Sequence, residues 1–440
     1  MDVIPKKGTM VAVALGAMLA AGLGASATAQ SPAPAPVTLS YLVDNSADTT
    51  ARTEALAAAY MAKHPNVTIL LEQRPPGTEG DNLVKTKLAT GDMNDIFFYN
   101  SGSLLQALEP EKTLVDLSGE AFIPNIAESF LPTVSAGSGI YGVPTGTAMG
   151  GGILYNKKVF ADHGLKVPTT WAEFEANNDA LKAAGVAPVG QTYKDTWTSQ
   201  LFVLADYYNV QAAIPDFAAQ YTGNKLTTAG TPAALAGFQH LQEGFDKGWW
   251  QPDFGSATFA DGLNMLAAGE IAQYPMLSFA LGTINTDHPD QIADIGFFAQ
   301  PGADAASNGA TIWMPAGTYI PKTTEAKGAD TLAAAKDFLA FIASPEGSDV
   351  QSAASAPTGP YLVKGSKLPA DTLPGVIDIL GYIDSNKAYP ALEFVSPLKG
   401  PNLEQITVAV GSGLTSAADG AAQYDQDLQK QAKQLNLPGW

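Results

Sequence analysis

The chain has no cysteine. That excludes a disulfide framework, a thiolate metal site, a cysteine nucleophile and a lipid-modified cysteine. Histidine is scarce as well. The four present, His64, His163, His240 and His288, lie far apart and at no metal-ligand spacing, so each reads as a surface residue. Positive charge is sparse: 24 Lys and Arg stand against 43 Asp and Glu, a net charge of −19. Such a surface repels phosphate backbones and anionic lipid heads, so no nucleic acid is expected as a partner. Three local signatures are missing too: a Gly-x-Ser-x-Gly nucleophile elbow, a Gly-Lys-Ser/Thr phosphate loop and a Rossmann glycine fingerprint. The residues call for no cofactor and no catalytic metal. Carboxylates are plentiful, but no pair stands out as an acid and base for glycoside hydrolysis.

What is present is a long, apolar-rich chain. It has 440 residues, 46% hydrophobic and 15% charged, too long for one ordinary core and too apolar for global disorder. Two domains are expected. At the start, Lys6 and Lys7 precede an apolar run from Met10 to about Leu23, followed by Ala27-Thr28-Ala29. The run is short for a span of about 20 residues and is rich in Ala and Gly. This pattern predicts a secretory signal peptide over residues 1–29, cleaved after Ala29. Cleavage removes one acid (Asp2) and two bases (Lys6 and Lys7), which takes the charge from −19 to −20. Leu23-Gly24-Ala25-Ser26 resembles a lipobox with Ser26 in the cysteine position, so no thioether anchor can form. Residues 30–36 read as an extended Pro/Ala tether. No second long apolar run follows, and an exported protein is expected, periplasmic, extracellular or associated with the cell envelope.

The body of the chain alternates strand and helix patterns. Val37 to Val43 reads as a strand, Arg52 to Lys63 as a helix, and Val67 to Glu72 as a second strand. That β-α-β opening builds open α/β sheets, in which ligands bind beyond the carboxyl ends of strands. A helix over about Asp81 to Thr90 and a short buried strand at Asp95 to Tyr99 continue the alternation, which restarts near Gly151. Trp171 to Ala184 reads as a helix and Ala187 to Gln191 as a strand. Broken helix fills about Trp197 to Phe245. Ile292 to Phe298 and Ala310 to Ile320 read as strands. Thr331 to Ala343 is amphipathic, with Leu332, Ala335, Phe338, Leu339 and Ile342 on one face. The C-terminal part, about 400–435, reads as helical. Gly150-Gly151-Gly152 stands before a strand, where it permits a close backbone approach. Trp249-Trp250 read as a helix end and core anchor.

One block is specific. Gly152-Ile-Leu-Tyr-Asn-Lys-Lys-Val-Phe160, then Gly164-Leu165, then Pro168-Thr-Thr-Trp-Ala-Glu-Phe174, closely resembles the signature of the extracellular sugar-binding proteins of bacterial ABC importers, the solute-binding family 1 group that includes maltodextrin-binding proteins. Gly91-Asp92 through Asn100 is similar to a strand of that family, with Asn94 in place of its usual proline. Tyr141-Gly-Val-Pro144 and Ser344-Pro-Glu-Gly347 are similar to two further segments. The resemblance spans nearly the whole chain beyond residue 37, weakly at about 210–235. It implies an α/β, two-lobed periplasmic-binding-protein fold of type II, with discontinuous lobes joined by hinge crossovers. Lobe 1 would take residues 37–145 plus 296–355, and lobe 2 residues 146–295 plus 356–440. It also implies a non-enzymatic receptor, a monomer, whose partners are a carbohydrate and the permease subunits of an ABC transporter.

A sugar offers hydroxyls at its rim and C–H groups on its faces. Its receptor needs planar rings and hydrogen-bonding side chains together. On that chemistry the candidate ligand residues are Asp44, Glu79, Tyr99, Asn100, Asp195, Trp197, Tyr274, Trp313 and Glu393. Asp195-Thr-Trp197 resembles a contact segment of the family, although a helix cap followed by a core tryptophan fits the same residues. Tyr274 falls where relatives often carry a tryptophan stacker, and Thr147-Ala-Met149-Gly150 falls where maltodextrin receptors place an acid. The first departure argues against face-stacking from that loop, and the second points to a different ligand from maltodextrin or to a smaller set of polar contacts. Two alternatives stand beside the sugar receptor: a receptor for a polyamine, peptide or iron chelate, and a secreted carbohydrate-active enzyme.

Overall fold

The structure, a computed structural model, describes residues 35–440. The expected signal peptide, the lipobox-like segment and nearly all of the expected tether lie outside the described residues. The chain opens with β1 (Val37–Asp44), α1 (Ala47–Lys63), β2 (Val67–Arg74), α2 (Gly77–Thr90), β3 (Ile96–Tyr99), β4 (Gly142–Thr145) and β5 (Met149–Asn156). Next come α3 (Trp171–Ala183), β6 (Ala187–Val189), α4 (Pro232–Asp246), α5 (Phe259–Ala268), β7 (Ile271–Leu277), α6 (Ala280–Asp287) and β8 (Ile295–Phe298). It continues through β9 (Ala310–Trp313), β10 (Ala316–Tyr319), α7 (Ala329–Ile342) and α8 (Pro345–Ala354). It ends with α9 (Pro374–Asp384), β11 (Ala388–Pro390), α10 (Leu392–Val395), α11 (Leu403–Gly411) and α12 (Ala417–Gln434). Shorter turns lie between these elements.

The strands form two main sheets, one in each lobe. The first has the order β2-β1-β3-β10-β4, and the second β11-β9-β5-β7-β6 with β8 also on β5. In the first sheet β1 runs parallel to β2 and β3, and β10 is antiparallel to both β3 and β4. β1 alternates over its first half, with Val37, Leu39 and Tyr41 buried and Thr38 exposed, and the Phe338 ring of α7 meets both Tyr41 of β1 and Tyr60 of α1. α1 turns Thr49, Thr53, Leu56, Ala57 and Tyr60 inward, and α7 turns Ala335, Phe338, Leu339 and Ile342 inward. The second sheet is covered on both faces. One cluster centres on Phe174, Phe202, Phe238 and Trp249, the other on Leu263, Tyr274, Leu281 and Ile379.

The residues that carry the family resemblance act locally. Asn156 accepts the Val159 N–H at 3.0 Å, which caps the helix that follows, and its amide donates to the Leu266 carbonyl at 3.0 Å. Thr170 and Glu173 form a reciprocal capping box at the start of α3. Trp171 stacks on the His240 ring at 3.5 Å, and its indole N–H donates to Glu243 at 2.8 Å. His240 is therefore not the free surface histidine expected from sequence. It packs beneath Trp171, and burial lowers its pKa to about 3.

The chain passes between the sheets at three places: Gly146–Ala148 between β4 and β5, Met314–Pro315 between β9 and β10, and the stretch after α8. The first and third are stitched together. The Ala148 N–H donates to the Pro360 carbonyl at 2.9 Å, and a Cβ on Gly359 would fall 1.8 Å from the Ala148 carbonyl oxygen. Two sequence expectations need correction here. Residues 310–320 are two strands in two different sheets, because Pro315 has no N–H to continue a ladder. The boundary expected at 296 lies later, since β8 and β9 both hydrogen-bond to β5 of the second sheet.

Candidate functional site

A cleft of about 560 Å³ lies where the two lobes face each other, lined from both. Its first-lobe wall grows from strand ends. β1 stops at Asp44, whose carboxylate accepts the backbone N–H of Ser46 at 3.0 Å and the Ser46 hydroxyl. That local turn aims α1 into the cleft. One turn on, Asp48 suits the positive end of the helix dipole and accepts the Ser355 hydroxyl at 3.1 Å, tying α1 to the third crossover. Arg52 follows at the next turn. Its guanidinium lies 3.8 Å from where a Cβ on Gly146 would stand, and its buried Nε has no protein partner. β3 alternates: Phe98 and Asn100 line the cleft, while Phe97 and Tyr99 turn inward with ring centroids 6.5 Å apart.

The second-lobe wall is aromatic. Trp197 lies in the turn after β6, Phe259 opens α5, and Phe279 precedes α6. Their rings stand 5.3 Å (Trp197–Phe259), 6.0 Å (Trp197–Phe279) and 5.5 Å (Phe259–Phe279) apart, each half-buried. Trp313, at the end of β9, forms the floor. It lies over Gly151, where a Cβ would fall 2.1 Å from its ring, so glycine is required under it. Glu393 and Lys399 pair at 2.6 Å at the edge of the cleft. Two residues beyond the cleft-lining Leu204, Asp206 is 2% exposed. Burial pushes its carboxyl up to about 7, against the hydrogen bonds it accepts from Asn209 and Gln300.

Of the residues named from sequence, Asp44, Asn100, Trp197, Trp313 and Glu393 converge on this cleft. Four do not. Glu79 is exposed in the first turn of α2. Tyr99 is fully buried because strand alternation sends it into the lobe core beside Arg74, and burial raises its hydroxyl pKa. Tyr274 is 1% exposed, with its hydroxyl 2.5 Å from Thr192 Oγ1, and it packs in the core that covers the second sheet. Asp195 accepts the Phe259 N–H at 2.7 Å, so it anchors a cleft ring rather than facing the cleft. Sequence reasoning missed Asp48, Arg52, Phe259 and Phe279. A helical repeat from the Asp44 turn along α1 points to the first two. The two phenylalanines carry no local signal. Trp249 and Trp250 are core residues, as expected. Among the described residues no group of three or more His, Cys, Asp or Glu is placed to hold a metal ion, and no helix is long and apolar enough to cross a membrane.

Comparison with known proteins gives the same architecture. The profile described as bacterial extracellular solute-binding protein matches residues 44–349. A "Multiple sugar-binding protein" of Streptococcus mutans is 25% identical over 285 residues, which cover 63% of this chain. The chain spans 64% of that relative's length. A solved "Chitin oligosaccharide binding protein" superposes with a TM-score of 0.78 at 22% identity, over 90% of this chain and 99% of the other. The solute-binding protein RafE in complex with raffinose superposes with a TM-score of 0.72 at 21% identity, over 89% of this chain and 99% of the other.

Proposed function

This chain belongs to the bacterial extracellular solute-binding protein family, and from that premise we propose that it captures a mono- or oligosaccharide in the interlobe cleft and delivers it to the permease of an ABC importer. The observation that carries this reading is the make-up of the cleft: three clustered rings and Trp313 on the second-lobe wall, with the Glu393–Lys399 pair at its edge, face Asp44, Asp48, Arg52, Asn100 and Phe98 on the first. Rings cover the C–H faces of a sugar, and polar groups meet its hydroxyls. A cleft of about 560 Å³ falls within the range that encloses a small molecule. The names of relatives that bind raffinose and chitin oligosaccharides support the ligand class.

The protein acts outside the cytoplasm as a monomer and leaves its sugar chemically unchanged. The acids at the cleft serve as hydrogen-bond acceptors and local anchors: Asp44 holds Ser46, Asp48 holds Ser355, and Glu393 holds Lys399. Ligand closes the lobes because contacts to both walls exist in the closed form alone. A thermal-shift panel of raffinose, chito-oligosaccharides, simple hexoses and a polyamine tests the reading, since a ligand raises the melting temperature according to RT ln(1 + [L]/Kd). A saccharide is expected to shift it. A shift from the polyamine with none from any saccharide overturns the sugar assignment. Unchanged oligosaccharide after long incubation is the expected result against the enzyme alternative, and released product would refute the binding-only reading.

A further inference from the structure

One segment of the second lobe reaches across to the first without being a chain crossover. Residues 391–399 are anchored at both ends in their own lobe. The Ala391 N–H donates to the Ile312 carbonyl at 2.9 Å, and the Lys399 N–H donates to Gln431 Oε1 at 2.6 Å. Between these anchors α10 packs against the turn Leu131–Val134 of the first lobe, and Phe394 lies against that lobe's core. One point of close approach is Gly102, in the loop after β3. A Cβ there would fall 2.6 Å from the Glu393 carbonyl oxygen and 2.7 Å from Phe394 Cδ1. Gly102 also adopts φ +69°, and its N–H donates to the Thr133 carbonyl at 2.7 Å, so the loop cannot easily retreat. The same strap carries Glu393, Phe394 and Lys399 into the cleft wall.

We propose that Gly102 is a positioning residue of the cleft: its missing side chain lets the 391–399 strap seat on the first lobe, which sets the resting angle of the lobes and presents Glu393 and Phe394 to the ligand. The proposal rests on the cleft being the ligand site, but the lobe angle can be measured without any ligand. Gly91 supplies the control. It also has a positive φ, +78°, in the same lobe, but in the left-handed helical region with ψ +10°, against ψ −139° at Gly102, and an added Cβ would meet nothing nearer than Thr323 Cγ2 at 4.0 Å. Gly91→Ala therefore reports the cost of a positive φ, Gly102→Ala adds a glycine-only ψ and displacement of the strap, and Phe394→Ala removes the strap contact with no backbone strain.

Small-angle scattering of the ligand-free full chain is the deciding measurement. Gly102→Ala should increase the radius of gyration over both the unaltered protein and Gly91→Ala. Equal radii for all three overturn the proposal, whatever the ligand proves to be. Phe394→Ala removes the ring contact without backbone strain and decides the matter in the same way if Gly102→Ala does not fold: expansion supports the strap, and an unchanged radius refutes it. Raffinose is the binding probe. Where the unaltered protein binds it, Gly102→Ala is expected to weaken binding ~5-fold or more, with Gly91→Ala near the unaltered value. If the unaltered protein ignores raffinose, the ligand class is in question and the scattering result still stands.

Discussion

The two lobes meet the cleft with different emphasis: Phe98 and Leu104 join the first wall and Asp287, Glu393 and Lys399 the second, but the rings cluster on the second and the strand-end polar groups on the first. The first lobe contributes Asp44, Asp48, Arg52 and Asn100, all from the carboxyl ends of β1 and β3 or the first turns of α1. The second contributes Trp197, Phe259, Phe279 and Trp313, from four segments distant in sequence. Polar side chains at strand ends are placed by local backbone geometry, so a short stretch builds that wall. A cluster of rings needs several elements brought together by a packed core. If the cleft holds a sugar as proposed, the contrast divides the work: the aromatic side would supply most of the affinity through desolvated surface, and the polar side orientation and discrimination.

Trp197→Ala should break the aromatic wall and give the largest effect, a loss of about 2 kcal/mol or more, ~30-fold in Kd, in calorimetric titration with the saccharide that the unaltered protein binds. A smaller loss there than at the polar wall would invert the comparison. Gly151→Ala attacks the floor, because the new methyl collides with the Trp313 ring. Overpacking of this kind costs about 1–3 kcal/mol and should lower both the melting temperature and the affinity. Asp206→Asn probes the support of the aromatic side. A carboxyl whose folded pKa is raised to about 7 favours folding most at low pH, and that advantage is lost as pH rises from the unfolded carboxylate range to about 7. Replacement should therefore stabilise the protein increasingly across that window, by at most about 1.4 kcal/mol per pH unit, and level off above it. Urea denaturation at pH 4, 6 and 8 reads the trend. Asn100→Ala, on the polar wall, should cost about 1 kcal/mol of binding, ~5-fold in Kd, with no change in melting temperature of the free protein. A destabilised free protein would make Asn100 a packing residue.

The sequence carried more of the fold than of the site. The β-α-β opening, the inward face of α7 and the block from Gly152 to Phe174 could all be read because their causes are local: periodicity, capping and turn chemistry. Asp44, Asn100, Trp197, Trp313 and Glu393 could be named because they follow strands or interrupt apolar runs. The failures have separate causes. Tyr99 stands on a strand where the neighbouring positions Phe98 and Asn100 face the cleft, and a one-residue error in facing reverses a side chain. Tyr274 lies in the buried middle of its strand, which reaches the cleft only at Leu277. Alternation within Phe97-Phe98-Tyr99-Asn100 already separates the inward pair from the cleft pair. Phe259 and Phe279 look like any core phenylalanine until β7 and α5 are placed in space. The split of residues 310–320 was hidden because both halves are apolar, and Pro315 was the local sign of the break.

The placement of β10 bears on how the chain reaches this form. This strand, residues 316–319, is inserted between β3 and β4, which are complete by residue 145. A growing polypeptide therefore cannot finish its earlier half first and its later half second, because the earlier sheet stays divided until most of the chain has been made. The halves are obliged to mature together, so neither can be cut out as a continuous fragment that folds by itself.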